Sequence, residues 1–163
     1  MDESLQSFVW QRAGDCCEYC RMPSSCHPLR FQIDHVIAQK HRGPTVESNL
    51  ALSCFWCNAY KGPNIAGIDP KTRQIVPLFN PRTDRWTVHF RWDGPLLVGI
   101  SAAARATIEV LEINHPVRVA LRESLIAEGV FPSTSKQYSC CASPFVVPLL
   151  TPRPPTPTPV RSD

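Results

Sequence analysis

The sequence carries little net charge of either sign: 17 lysines and arginines face 14 aspartates and glutamates, a formal +3 at pH 7. That excludes a histone-like or polybasic protein held to its partner by bulk electrostatics. It also lacks any apolar run of about 18 residues, so no membrane-spanning helix is expected. The first residues, Met1-Asp2-Glu3-Ser4-Leu5-Gln6-Ser7, start acidic and lack the apolar stretch of a secretory leader. A cytoplasmic location is therefore expected, where thiols stay reduced. Internal repeats are absent as well. What the chain does have is cysteine and proline, eight and 17 of them in 163 residues. Paired reduced cysteines point to a metal before a disulfide. A hydrophobic content of 43% is enough for a packed core, in one ordinary domain or a small one with appendages.

Neither charge nor proline is spread evenly. Residues 1–62 carry six basic and six acidic side chains, residues 63–128 eight and seven, and residues 129–163 three and one. The positive excess is thus mostly at the C-terminal end. Eight of the 17 prolines lie there too, many in Thr151-Pro152-Arg153-Pro154-Pro155-Thr156-Pro157-Thr158-Pro159. Without glycine or an apolar period, residues 131–163 read as an extended, polyproline-like, disordered tail. Val146, Val147, Leu149 and Leu150 form a short apolar patch in it.

The remainder divides at about residue 66. Residues 3–13 read as a helix, with Leu5, Phe8, Val9 and Arg12 at helical spacing. Further on, Trp86, Val88, Phe90 and Trp92 alternate with polar residues, which predicts one half-buried strand. Asp93-Gly94 turns the chain, and Leu96–Ile100 returns as its partner. Ser101 caps a helix over 102–113 with Ile108 and Leu111 inward. Asn114-His115-Pro116 breaks it, and Pro116 suits the first turn of the next helix. There Val117, Leu121 and Leu125 share one face, and Gly129 ends the helix.

Two Cys-x2-Cys knuckles, Cys17–Cys20 and Cys54–Cys57, stand with 33 residues between them. Each bends the backbone so that two thiolates meet one metal, and two knuckles make a closed four-sulfur site of the kind structural Zn²⁺ prefers. Cys16 is an alternative to Cys17 at a looser x3 spacing, and Cys26 and His27 are alternative ligands. Cys140 and Cys141 are adjacent in the tail and read as bystanders.

Between the knuckles stands Phe31-Gln32-Ile33-Asp34-His35-Val36-Ile37, a short strand with an acid–histidine pair in it. Adjacent strand residues point to opposite faces, so Asp34 and His35 reach one site only at a strand end or bulge. Asn49 follows 14 residues after His35, and Asn58 follows the last knuckle cysteine directly, with Lys61 three residues on.

This order, Cys17-x2-Cys20, Asp34-His35, Asn49, Cys54-x2-Cys57-Asn58-x2-Lys61-Gly62, resembles the HNH endonucleases, whose core is the ββα-metal fold. Stretches such as Gly67-Ile68-Asp69-Pro70, Leu78-Phe79-Asn80-Pro81-Arg82, His89-Phe90-Arg91-Trp92 and Arg105-Ala106-Thr107 look like one bacterial branch of that family. The resemblance implies an α+β chain: a zinc-stabilised ββα-metal core over 1–66, a β-hairpin and two-helix extension over 67–130, then the tail. The family triad becomes His35, Asn49 and Asn58, an H-N-N variant with Asn58 where many members have histidine.

The implied roles make chemical sense. His35 is the general base that takes a proton from the attacking water, its ordinary pKa near 6.5 suiting neutral pH. Asn49 hydrogen-bonds His35 and holds it in position. Asp34 and Asn58 ligate a hard catalytic ion, Mg²⁺ or Mn²⁺, which stabilises the charge of the phosphorane and the leaving oxygen. Lys61, His41 and Arg42 are candidate phosphate contacts. The expected reaction is hydrolysis of DNA phosphodiester bonds, leaving 5′-phosphate and 3′-hydroxyl ends. The competing reading is an inactive zinc-stabilised module that binds nucleic acid or protein. A redox or zinc-storage protein is a third, and it has no need for the Asp34–His35, Asn49, Asn58 register.

Overall fold

The computed structural model describes residues 1–131. Of the tail expected over 131–163, Phe131 is instead buried in the core with its ring 5.2 Å from that of Trp92, and the rest, with Cys140 and Cys141, lies outside the described residues.

Helix α1 (Glu3–Ala13) stops at Gly14, whose left-handed φ of 57° closes the last turn. Val9 and Ala13 are buried on its inner face. Arg12 lies alongside and donates to Leu50 O at 2.7 Å and Glu47 O at 2.9 Å. These bonds dock α1 on the outer edge of strand β2 (Leu50–Ser53), which pairs antiparallel with β1 (Gln32–His35). The register sets His35 opposite Leu50 and Asp34 opposite Ala51. All four residues of β2 are buried. Helix α2 (Phe55–Lys61) follows at once and packs on β1, with Cys54 as its N-cap.

The second half holds two more two-stranded antiparallel sheets, β3 (Ala66–Ile68) with β4 (Ile75–Pro77), and β5 (Phe90–Asp93) with β6 (Leu96–Gly99). Helix α4 (Ala102–Val110) packs on β3, β4 and β6. Helix α5 (Pro116–Ala127) closes the order. One hydrophobic cluster runs from Val9 through the cysteines to Phe131, so the core is continuous across residue 66. Trp86 Nε1 donates to Tyr19 O at 2.8 Å, and Arg82 pairs with the buried Glu18, two further ties between the halves. Among the described residues, no helix is long and apolar enough to cross a membrane.

Local signals place several elements where the sequence predicts them. Asp93-Gly94 turns β5 into β6, with Gly94 at φ 54°. Ser101 Oγ accepts from Ala104 N at 3.1 Å and caps α4, while Ile108 and Leu111 face inward. Pro116 begins α5 behind His115.

Three expectations are corrected. The strand predicted over 86–92 is a one-turn helix, α3 (Trp86–His89), followed by β5. Trp86 and Phe90 are four apart and their rings lie 5.2 Å from each other, whereas Val88 faces solvent. The apparent two-residue period is therefore a helical turn abutting a strand. Helix α4 ends at Val110, not 113, because Glu112 adopts a left-handed φ of 49°. The fully buried residues of α5 are Arg118, Arg122 and Leu125; of the predicted face, Leu125 is buried, Leu121 packs half-buried against the core, and Val117 is 59% exposed. Arg118 donates to Leu111 O and Glu112 O, and Arg122 to Pro95 O and Ile113 O. Those carbonyls lie at the end of α4 and before β6, and an apolar side chain would leave them unpaired.

Candidate metal centre and active site

The Sγ atoms of Cys17, Cys20, Cys54 and Cys57 all lie within 4.8 Å of one another, and all four residues are buried. Each knuckle is shaped locally. In the first, Cys17 N donates to Met22 O at 2.9 Å and Arg21 N to Cys17 O at 2.8 Å, with Arg21 at a left-handed φ of 57°. In the second, the N-cap Cys54 Sγ accepts from Cys57 N at 3.5 Å, which turns both thiols to one side of α2. Cys16, Cys26 and His27 stand outside this cluster, and Cys17 takes the place that Cys16 was a candidate for. Four thiolates in a closed, buried tetrad have the donor chemistry of a structural zinc site.

The first knuckle also reaches the acid–histidine strand. Tyr19 Oη donates to Asp34 Oδ2 at 2.6 Å. Lys61 Nζ, from the last turn of α2, lies 3.1 Å from Asp34 Oδ2 and 3.2 Å from Oδ1, and donates to His35 O at 3.0 Å. Asp34 is 6% exposed and Lys61 2%. Burial raises the Asp34 pKa above the ordinary carboxylate value, against the opposing pull of Lys61 and Tyr19. Burial raises that of Tyr19 too, and the neighbouring carboxylate adds to it, which keeps its phenol protonated as a donor. The expectation that Lys61 contacts phosphate is therefore corrected. Its ammonium is enclosed and committed to a carboxylate and a carbonyl.

His35 ends β1, half-buried, with Nε2 2.8 Å from Thr45 Oγ1. Asn49 does not supply that contact. Its Oδ1 accepts from Ile37 N at 2.9 Å, and its Nδ2 donates to Ile37 O and Pro44 O, each at 2.9 Å. Both amide hydrogens are thus spent on the backbone of the loop between β1 and β2, which corrects the expected bond to His35. The loop is tight enough to need Gly43, where a Cβ would stand 1.7 Å from Ile37 O. Asn49 Nδ2 bonds Pro44 O, Thr45 is next in the chain, and Thr45 Oγ1 touches the imidazole, so Asn49 is linked to His35 through the loop and not directly.

Asn58 sits one turn before Lys61, and its Nδ2 donates to Gln32 Oε1. Gln32 and Asp34 share a face of β1. The two α2 residues therefore meet the two β1 residues in matching order, Asn58 at Gln32 and Lys61 at Asp34. His41 Nε2 lies 3.0 Å from Pro63 O, and Arg42 is exposed at the loop's left-handed turn, φ 60°. Sequence reasoning assigned no role to Tyr19, Thr45 or Arg118. Tyr19 fills a spacer position inside a knuckle, and Thr45 lies in the loop next to His41 and Arg42. Both could be noticed only as neighbours of recognised motifs.

The family model for HNH endonucleases matches residues 17–64, the span from the first knuckle cysteine to just past α2. No curated protein and no solved structure matches the chain. The matched span holds the cysteine tetrad, Asp34, His35, Asn49 and Asn58 in one packed unit, and residues 17–64 of this chain are an HNH endonuclease domain.

Proposed function

We propose that this protein is a metal-dependent endonuclease that hydrolyses phosphodiester bonds of DNA, inside the cell, with His35 as general base. The observation that carries this reading is the fixed imidazole at the end of β1, held by Thr45 within the matched HNH segment. In the tautomer that carries its hydrogen on Nε2 and donates it to Thr45, Nδ1 keeps its lone pair and is the nitrogen that takes a proton from water. Thr45 and Asn49 keep that ring from turning. His41 and Arg42, on the same loop, are the side chains offered to the DNA backbone.

Asp34 and Asn58 supply a carboxylate and an amide oxygen, hard donors suited to Mg²⁺ or Mn²⁺. Both Asp34 oxygens are already taken, by the Tyr19 hydroxyl and the Lys61 ammonium, so an ion reaches this carboxylate only where Lys61 gives way to it. A divalent ion held by Asp34 and Asn58 would supply charge stabilisation for the phosphorane and the leaving oxygen. Tyr19 orients Asp34 and keeps it facing α2.

The same ion pair favours a second reading, an inactive zinc-stabilised module binding nucleic acid or protein. Plasmid nicking decides between them. Wild type with Mg²⁺ or Mn²⁺ is expected to convert supercoiled DNA to open circles, and His35→Ala to lose that activity. Intact supercoiled DNA across both metals and a range of pH would leave the binding module standing.

A further inference from the structure

The HNH segment ends at residue 64, yet a side chain from far outside it touches the cysteine tetrad. Arg118, on α5, donates from Nη2 to Cys57 Sγ at 3.0 Å. It is 3% exposed. Its other amino group donates to Leu111 O at 2.7 Å and Glu112 O at 3.1 Å, so the fork is fixed in direction. The guanidinium carbon stands 5.7 Å from the centre of the Trp56 ring, inside the second knuckle. Arg122, one turn on and also buried, is bonded instead to Pro95 O, Ile113 O and Asn114 Oδ1.

Four thiolates around one Zn²⁺ carry a net charge of −2, and burying that charge without compensation is costly. The buried Arg118 guanidinium, bonded to Cys57 Sγ, offsets part of that charge. A buried arginine is equally costly without an anionic partner, and the tetrad is what faces Arg118.

We propose that Arg118 is a positioning residue of the zinc centre: its N–H···S bond to Cys57 and its charge set how tightly the tetrad holds zinc. The zinc centre is thereby completed from the C-terminal extension. A hydrogen bond to a metal-bound thiolate lowers the energy of the sulfur lone pair. This gives the proposal a spectroscopic signature as well as an affinity.

The test uses the full chain, zinc-loaded and in competition with a metallochromic chelator, and then loaded with Co²⁺, which takes the same tetrahedral sulfur ligands. Arg118→Met is expected to weaken zinc binding on the order of 10–100-fold. It should also move the thiolate-to-cobalt charge-transfer band to longer wavelength. Arg91→Met, at an exposed arginine of β5, is expected to change neither. Wild-type affinity in Arg118→Met would overturn the proposal. So would weakened binding with an unmoved band, which is what lost packing alone produces. If Arg118→Met does not yield folded protein, Arg118→Lys takes its place, keeping the cation while losing the fork. It is expected to shift both readouts the same way by less, and no shift in either would overturn the proposal.

Discussion

Tyr19 Oη donates a 2.6 Å hydrogen bond to Asp34 Oδ2. Tyr19 lies between the two cysteines of the first knuckle, so the metal frame and the acid of the acid–histidine strand are mechanically one unit. Loosening the first knuckle therefore takes away one of the two side chains that hold Asp34, Lys61 being the other.

Zinc removal tests that linkage. The protein as purified is expected to hold one zinc per chain by elemental analysis, lost in Cys57→Ser. Structural zinc contributes on the order of 10–16 kcal/mol to folding in small zinc domains. Stripping it should therefore unfold the matched segment, and DNA nicking should not return on adding Mg²⁺ alone. Folded, zinc-free protein with an intact circular-dichroism spectrum would contradict this.

The Lys61–Asp34 pair is enclosed on both sides. Lys61→Met leaves a buried carboxylate without its cation and is expected to cost about 3–5 kcal/mol in denaturant unfolding. Adding Asp34→Asn should recover part of that loss, because the uncompensated charge goes with it. Additive losses in the double variant would show that the two side chains do not act as a pair.

Thr45 is exposed and touches the imidazole, so it separates positioning from stability. Thr45→Val is expected to leave the unfolding midpoint unchanged while lowering the nicking rate on the order of 10–100-fold, through a misoriented His35. Asn49→Ala should differ. Its amide satisfies three backbone groups of the loop, and its loss should reduce stability by about 1–3 kcal/mol as well as rate. Equal stability losses in the two variants would reject this division of labour.

His27 gives a pH dependence. It lies against Phe31 and Trp56, with ring centres 5.4 and 4.7 Å away, and its buried Nε2 has no hydrogen-bond partner. Burial lowers its pKa below the ordinary histidine value. The unfolded chain then binds more protons than the native one, so its contribution is present above pH 6.5, the ordinary value, and is lost as pH falls toward the depressed one. The stability difference between wild type and His27→Phe should accordingly move against wild type from pH 7.5 to pH 5.5, as read by urea unfolding. A difference that stays flat with pH would show that His27 titrates normally.

What the sequence determined alone is whatever short-range interactions decide. The x2 spacing bends each knuckle, Ser101 reaches the nitrogen three residues on, Pro116 opens a helix, and Asp93-Gly94 turns a hairpin. The partners in each case lie within a few residues of one another, so spacing carries the answer. The order of cysteines, acid, histidine and asparagines was likewise enough to point to the HNH segment.

Only the tertiary structure decided where the polar side chains end. Apolar periodicity assumes that charge faces water, and it therefore put Val117 on the inner face of α5 and left Arg118 and Arg122 off it. The structure buries Arg118 and Arg122 because unpaired carbonyls from residues 95 and 111–113, and a thiolate from Cys57, await donors there. Lys61 reads as a cation free for phosphate until Asp34, 27 residues earlier, is brought beneath it. Asn49 reads as a histidine's partner until the loop folds back and offers it three closer backbone groups. In each case the deciding group comes from a distant part of the chain, and a buried donor takes the nearest unsatisfied acceptor that packing supplies.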